Sequence, residues 1–191
     1  MIDQSDNVHF FGTKRQPEIT SNPTIPELTQ EEINAAKVIL LSSSVEEINK
    51  IMMNTPNVID GCSYENHILK CDNLESAMNL YKEMLKFHIK LDTIKYEENL
   101  KRWWCCFNNP RDHTKHDMDI RLQEVIQELA DMPLDIARAI TIESKKTWLY
   151  KPTLFQINDM FKNEIAYRNH LLNGTKKFLN KYIEEEKANV S

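Results

Sequence analysis

The sequence predicts an all-α protein: a bundle of about six helices, preceded by a disordered arm over residues 1–27 and ending in a long helix from about residue 153. Three observations support this class. The chain has only three glycines and seven prolines, too few for the tight turns of a sheet-rich protein. Apolar residues recur at helical spacing, and several helix starts carry a capping motif. A chain of 191 residues suits one domain, which we place at residues 28–191.

The N-terminal 27 residues are polar, contain three of the seven prolines and show no sustained period, which predicts disorder. Within them, Phe10 and Phe11 form an isolated apolar pair. We interpret the pair as a strap that packs on the core. A short docking motif for a partner is the alternative.

Capping boxes predict where the first two helices begin. Thr-x-x-Glu at residues 29–32 and Ser-x-x-Glu at residues 44–47 each satisfy free N–H groups in a first helical turn. The first helix should end near residue 41 and the second before residue 54. Residues 55–72 are predicted to form a loop.

Apolar spacing predicts three further helices, over about 74–90, 93–107 and 115–131. The second of these carries Trp103 and Trp104. Adjacent residues on a helix face different ways, so we expect one tryptophan in the core and the other in a shallower position.

The last helices are separated by two proline-containing segments. Asp-Met-Pro at residues 131–133 ends one helix and begins the next, because proline suits a first turn and aspartate accepts hydrogen bonds from free N–H groups. Thr-x-x-Gln at residues 153–156 is a capping box that begins the final helix. We expect this helix to continue to about residue 187, weakened at Gly174.

One pattern combines these helix starts with a basic-aromatic link. Its residues are Leu129, Ala130, Pro133, Ile136, Lys145, Lys146, Trp148, Tyr150, Pro152, Thr153 and Ile157. The pattern resembles the C-terminal part of small helical replication proteins of phages and prophages, of the helicase-loader or replisome-organiser type. The resemblance implies a non-enzymatic accessory protein of DNA replication that docks through helical surfaces on a replicative helicase or an initiator.

The link itself supplies the candidate residues for partner or DNA binding: Lys145, Lys146, Trp148, Tyr150 and Lys151. An aromatic ring can stack on a base while lysines meet phosphates, as in single-strand binders. The alternative interpretation is structural: the aromatic rings separate two packed helices and the lysines remain in water.

Charge and composition narrow the function classes. A net charge of −5 disfavours a protein that grips nucleic acid over a broad surface, so we expect a protein partner and at most a weak contact with single-stranded DNA. No Gly-rich phosphate loop is present, which excludes a P-loop ATPase. We expect no cofactor and no metal site. The long C-terminal helix is a candidate surface for association between copies of the chain.

Cysteine usage and the N-terminus indicate the compartment. The four cysteines show no disulfide framework and are interpreted as reduced thiols. No apolar stretch resembles a signal peptide or a membrane span. We therefore expect a cytoplasmic protein.

Arg111 and His116 support a competing hypothesis. An arginine followed by a histidine five residues later resembles the signature of helical HEPN ribonucleases, which need no metal. There the arginine would stabilise the pentacoordinate phosphate and the histidine would act as general acid or base on the 2′-hydroxyl. The preceding Cys105 and Cys106 point about 100° apart on a helix, so we predict a polar loop after a buried thiol and not a zinc site. A helical adaptor or effector of an unrelated pathway is the third hypothesis.

Overall fold

Eight helices and one β-hairpin make up the part of the chain that the computed structural model describes, residues 24–65 and 68–190. The largely helical class is confirmed. The helices are α1 (Gln30–Ser42), α2 (Val45–Val58), α3 (Leu74–Lys86), α4 (Thr93–Trp104), α5 (Lys115–Asp131), α6 (Leu134–Thr147), α7 (Leu154–Met160) and α8 (Lys162–Val190), and the strands are β1 (Cys62–Glu65) and β2 (Ile68–Cys71). The predicted arm, through residue 23 and including Phe10 and Phe11, lies outside the described residues.

Side-chain caps fix the starts of most helices. The three predicted capping boxes are present at α1, α2 and α7. A fourth begins α5, where the Thr114 hydroxyl accepts from the Asp117 N–H and the Asp117 carboxylate accepts from the Thr114 N–H. Local polar chemistry therefore determines these boundaries.

The start of α6 is different, and the prediction that Asp131 caps it was wrong. Pro133 precedes α6, and no side chain caps the helix. The Leu134 N–H instead donates to the Ile89 carbonyl at 2.8 Å, because the chain between α5 and α6 lies against the end of α3. The Asp131 carboxylate pairs with Lys90 at 2.9 Å.

Two clusters of buried side chains form the core. The first lies among α1, α2, the hairpin, α3 and α8, and the second among α4, α5, α6 and α7. Helix α6 joins them, because Leu134 belongs to the first cluster while Ile136 and Ile140 belong to the second. The long C-terminal helix thus packs its apolar face on α3, within the same chain.

Both tryptophans of α4 are buried, at 3% and 4% exposure, so the prediction that one is shallow was wrong. The Trp103 indole donates to the Ser144 hydroxyl on α6 at 3.0 Å. The Lys151 ammonium lies over the Trp104 ring, 5.6 Å from the ring centroid. A later segment of the chain therefore covers the face that the helix leaves open.

The segment predicted as a loop over 55–72 is largely ordered secondary structure. Helix α2 continues through Pro56, which is buried, and the Thr55 hydroxyl donates to the Ile51 carbonyl at 2.9 Å. The hairpin follows, with β1 antiparallel to β2. Each strand has only four residues, too few for an alternating pattern to stand out in the sequence.

Three predicted helix ends also change. The chain leaves α3 at Lys86 and α4 at Trp104, a few residues earlier than predicted. The final helix is divided, because Phe161 has a non-helical backbone (φ −130°, ψ 28°). Helix α7 packs against α5 whereas α8 packs against α3, so the chain changes direction there. Gly174, by contrast, lies inside an unbroken α8.

A buried polar network joins three helices where the two core clusters meet. Arg168 of α8 donates to both carboxylate oxygens of Asp135 on α6, at 2.8 and 2.7 Å, and to the Asn49 side chain on α2 at 2.9 Å. The Nδ1 atom of His88 lies 3.1 Å from the Met84 carbonyl oxygen, while its Nε2 atom is buried with no hydrogen-bond partner among the described residues.

Candidate interaction site at the turn between α6 and α7

The turn between α6 and α7 has a fixed backbone path. Helix α6 ends where the Trp148 N–H donates to the Ser144 carbonyl at 2.8 Å. Pro152 is buried, and Thr153 then begins α7 with its capping box. The five intervening residues are therefore held between two well-defined helix ends.

Backbone hydrogen bonds anchor this turn to the loop after α4. The Asn108 N–H donates to the Leu149 carbonyl at 3.1 Å, and the Lys151 N–H donates to the Asn108 carbonyl at 2.9 Å. The backbone of Asn108 is thus hydrogen-bonded to the residue before Tyr150 and to the residue after it. Side chains carried by this turn are presented from a rigid support.

The candidate residues divide into two groups. Trp148 is half-buried and packs against the second core cluster. Lys151 is also half-buried, donates to the Asn109 side chain and lies over Trp104. These two side chains thus have a structural role in the turn, in line with the structural interpretation of the link.

Lys145, Lys146 and Tyr150 reach solvent. Both lysines are exposed in the last turn of α6, and Lys146 pairs with Glu143 at 2.7 Å. Tyr150 keeps 46% of its surface exposed. The structure therefore places two cations and one aromatic ring on the outside of the turn.

Two further exposed apolar residues, which sequence reasoning missed, lie in this turn and in the first turn of the helix that follows it. Leu149 is 65% exposed and Phe155, in the first turn of α7, is 76% exposed. Phe155 follows Leu154 and precedes Ile157, which pack against the second core cluster. Helical geometry alone places Phe155 on the opposite face, so this signal was present in the sequence. We call Lys145, Lys146, Leu149, Tyr150 and Phe155 the turn surface.

Arg111 and His116 lie elsewhere, on both sides of the start of α5, and both are exposed. The contact that forms at this end of α5 is between other residues: Arg121 Nη2 lies 3.2 Å from His113 Nε2. The residues that line the cavity here are Asp112, His113, Asp117, Ile120, Arg121 and Glu124.

Local hydrogen bonds use several of the polar groups around this cavity. The hydroxyl and N–H of Thr114 donate to Asp117 and hold the pKa of its carboxyl below the usual value. Asp112 has a left-handed backbone (φ 68°), and the Arg111 carbonyl oxygen lies 3.1 Å from His113 Nδ1. The arrangement shapes the loop before α5.

The tract between α4 and α5 differs from the prediction at its thiols. Helix α4 ends at Trp104, and both Cys105 and Cys106 are exposed, so the expected buried thiol was wrong. The early end of the helix places both residues in the turn that leaves it. Residues 24–65 and 68–190 contain no group of three His, Cys, Asp or Glu side chains arranged to hold a metal ion.

Comparison with known proteins gives no relative. No protein-family model matches the chain, and neither the curated proteins nor the solved structures include a significant match. In the described part of the chain, no helix combines the length and the apolar character that a membrane span requires.

Proposed function

We propose that this protein is a non-enzymatic accessory factor of DNA replication, a helical bundle that binds a replicative helicase or a DNA-bound initiator. The observation that carries the proposal is the turn surface: exposed apolar and aromatic side chains on a backbone anchored to Asn108, flanked by two exposed lysines. Aromatic and large apolar side chains on a rigid support supply most of the binding energy of protein interfaces. The resemblance at residues 129–157 gives the class of partner.

The charge of the chain favours a protein as the primary partner. The net charge of −5 opposes broad contact with phosphates. Lys145 and Lys146 supply a local positive patch next to Tyr150, which suits an acidic surface on a protein and a secondary contact with single-stranded DNA. Association between copies of the chain through the exposed residues of α8 is a further proposal.

A pull-down from a lysate of the host cell tests the proposal. The bait is the full chain, and its variant carries Lys145→Ala, Lys146→Ala and Tyr150→Ala. Trp148 is left unchanged, because it is half-buried against the second core cluster and its loss would affect folding. The matched control carries Lys176→Ala, Lys177→Ala and Ile94→Ala, at positions that are exposed on α8 and α4.

We expect the bait and the control to recover the replicative helicase or the initiator, identified by mass spectrometry, and the turn variant to lose it. Binding of the purified partner to the purified chain then gives the change in dissociation constant, with at least a tenfold loss expected for three interface positions. Recovery of neither partner by the unchanged bait would overturn the proposed function. Equal recovery by the turn variant would overturn the assignment of the surface.

RNA cleavage is the second candidate function, and one observation favours it. Arg111 and His116 are both solvent-exposed, and each is next in sequence to a residue that lines the cavity, Asp112 and Asp117 respectively. A metal-free cleavage assay on single-stranded RNA with the unchanged chain, His116→Ala and His113→Ala tests this function. Cleavage that only His116→Ala abolishes would support it, and the absence of cleavage by the unchanged chain would end it.

A further inference from the structure

Cys62 and Cys71 face each other across the hairpin. The two residues are direct partners in the antiparallel register. The Asp72 N–H donates to the Gly61 carbonyl at 2.8 Å, which makes Gly61 and Asp72 a hydrogen-bonded pair and places the two cysteines at the neighbouring non-hydrogen-bonded pair. Side chains approach each other most closely at pairs of that kind. The two sulfur atoms lie 3.0 Å apart.

The surroundings hold the two thiols in this position. The Cys71 carbonyl accepts a hydrogen bond from the Tyr182 hydroxyl on α8 at 2.6 Å, and the Cys71 side chain is buried. Cys62 is half-buried, with its sulfur 3.5 Å from the Ser76 carbonyl on α3. Contacts with two helices, α3 and α8, therefore hold the two cysteines in place, and the two sulfur atoms lie close together in the folded chain.

We propose that Cys62 and Cys71 are a dithiol oxidation site that closes to an intrachain disulfide, with a small-molecule disulfide such as oxidised glutathione as the oxidant. The bond requires the sulfur atoms to approach to about 2.05 Å, with Cα atoms at the short separation that a cross-strand pair already has. The reversible product ties β1 to β2 next to the Tyr182 contact. This inference is independent of the proposed function.

The reaction proceeds in two exchange steps. The thiolate of Cys62, the more accessible residue, attacks one sulfur of oxidised glutathione, and the departing glutathione thiolate takes up a proton. The thiolate of Cys71 then attacks the Cys62 sulfur, breaks the mixed disulfide and releases the second glutathione. Two protein thiols lose two electrons and two protons, and the oxidant gains them as two thiols. Burial raises the pKa of both cysteines, so exchange uses a small thiolate fraction and is slow.

Peptide mapping of the full chain tests the site directly. The reduced protein is equilibrated with mixtures of oxidised and reduced glutathione, free thiols are blocked with N-ethylmaleimide, and the product is digested with trypsin. Lys70 lies between the two cysteines, so trypsin places Cys62 on peptide 51–70 and Cys71 on peptide 71–82. We expect these peptides to be joined by a disulfide that dithiothreitol releases.

A second measurement reports on the folded protein. The midpoint of thermal unfolding should rise on oxidation, because the disulfide restricts the unfolded chain. The rise should be modest, about 5 °C, because the bond closes a short loop. Cys105→Ser with Cys106→Ser should keep both the linkage and the rise, and Cys62→Ser should lose both. The proposal would be overturned if Cys62 and Cys71 are both recovered as free thiols, blocked by maleimide, under conditions in which glutathione oxidises Cys105 or Cys106. A disulfide that joins two different chains would also overturn it.

Discussion

Arg168 and Asp135 form a bidentate ion pair whose two side chains have no solvent exposure. The pair connects α8 to α6, and the Asn49 side chain accepts the remaining guanidinium Nε–H. Removal of one partner leaves a buried charge without compensation, which is far more costly than the loss of an exposed pair. The packing of the three helices therefore depends on this polar contact.

Arg168→Met or Asp135→Leu should each lower the free energy of unfolding by about 3–5 kcal/mol, because each isolates one buried charge. The double variant should lose less than either single variant, since it buries no unpaired charge. Urea denaturation of the four proteins measures both effects. Asp131→Asn is the control, because it removes the negative charge from an exposed ion pair with Lys90, 2.9 Å apart, and should change the free energy of unfolding little. A double variant whose loss equals the sum of the singles would contradict the pairing.

His88 should make the protein sensitive to mild acid. Burial lowers its pKa below 6.5 in the folded state, and the positive charge of Arg168 acts in the same direction. The unfolded chain therefore takes up a proton first, and stability falls as the pH drops through about 6.5 towards the folded pKa. The free energy of unfolding, measured between about pH 7.5 and pH 5.5, should fall less for His88→Leu than for the unchanged chain.

Two features make this experiment selective. Hydrogen bonding from Lys82 lowers the pKa of Glu32 to about 2, and its titration in the unfolded state near 4.5 lies below the measured range. His170→Gln, at an exposed position on α8, serves as the matched control and should retain the pH dependence. An identical slope for His88→Leu would show that other groups cause the acid sensitivity.

Gly174→Ala should raise the free energy of unfolding by up to about 1 kcal/mol, because alanine restricts the unfolded chain and favours the helix. Gly174 is exposed inside α8, and apart from its chain neighbours and the backbone of the helix itself, no atom of the described residues lies within 4 Å of the position that an alanine Cβ would occupy. Thermal and urea unfolding measure the gain. A loss of stability would indicate that α8 requires glycine at this position for some other contact.

Gly61→Ala should have the opposite effect, with a loss of about 2 kcal/mol. Gly61 has φ +71°, a left-handed conformation, and an added Cβ would lie 2.4 Å from the Ser76 hydroxyl oxygen. The double variant Gly61→Ala with Ser76→Ala should recover the steric part of the loss but not the backbone part. If Ser76→Ala restores nothing, strain in the backbone accounts for the whole effect.

Sequence reasoning succeeded where chemistry within a few residues decides the structure. The capping boxes at Thr29, Ser44 and Thr153 formed as predicted, because each motif satisfies its own helix end. It failed where distant residues decide. Asp131 does not cap α6, because the Leu134 N–H donates to the Ile89 carbonyl. The Trp104 ring is buried among side chains of several helices, and Lys151 from a later segment lies over it.

The candidate site followed the same rule. Helical periodicity was enough to place Phe155 outside, whereas the burial of Trp148 and Lys151 depended on contacts with α4, α5 and the loop at Asn108. The division of the final helix at Phe161 also arises from tertiary packing, because α7 and α8 pack on different helices. The sequence pattern within α7 or α8 does not indicate that the two helices pack on different partners.

The sequence separation of the buried ion pair has a consequence for protein synthesis. Asp135 leaves the ribosome 33 residues before Arg168, and Asn49 leaves it 119 residues before. A nascent chain that ends between residues 135 and 167 contains the Asp135 carboxylate without the Arg168 cation, which disfavours closure of the helices around it. The packing of α2 and α6 around this pair can therefore be completed only in chains long enough to include the first turns of α8.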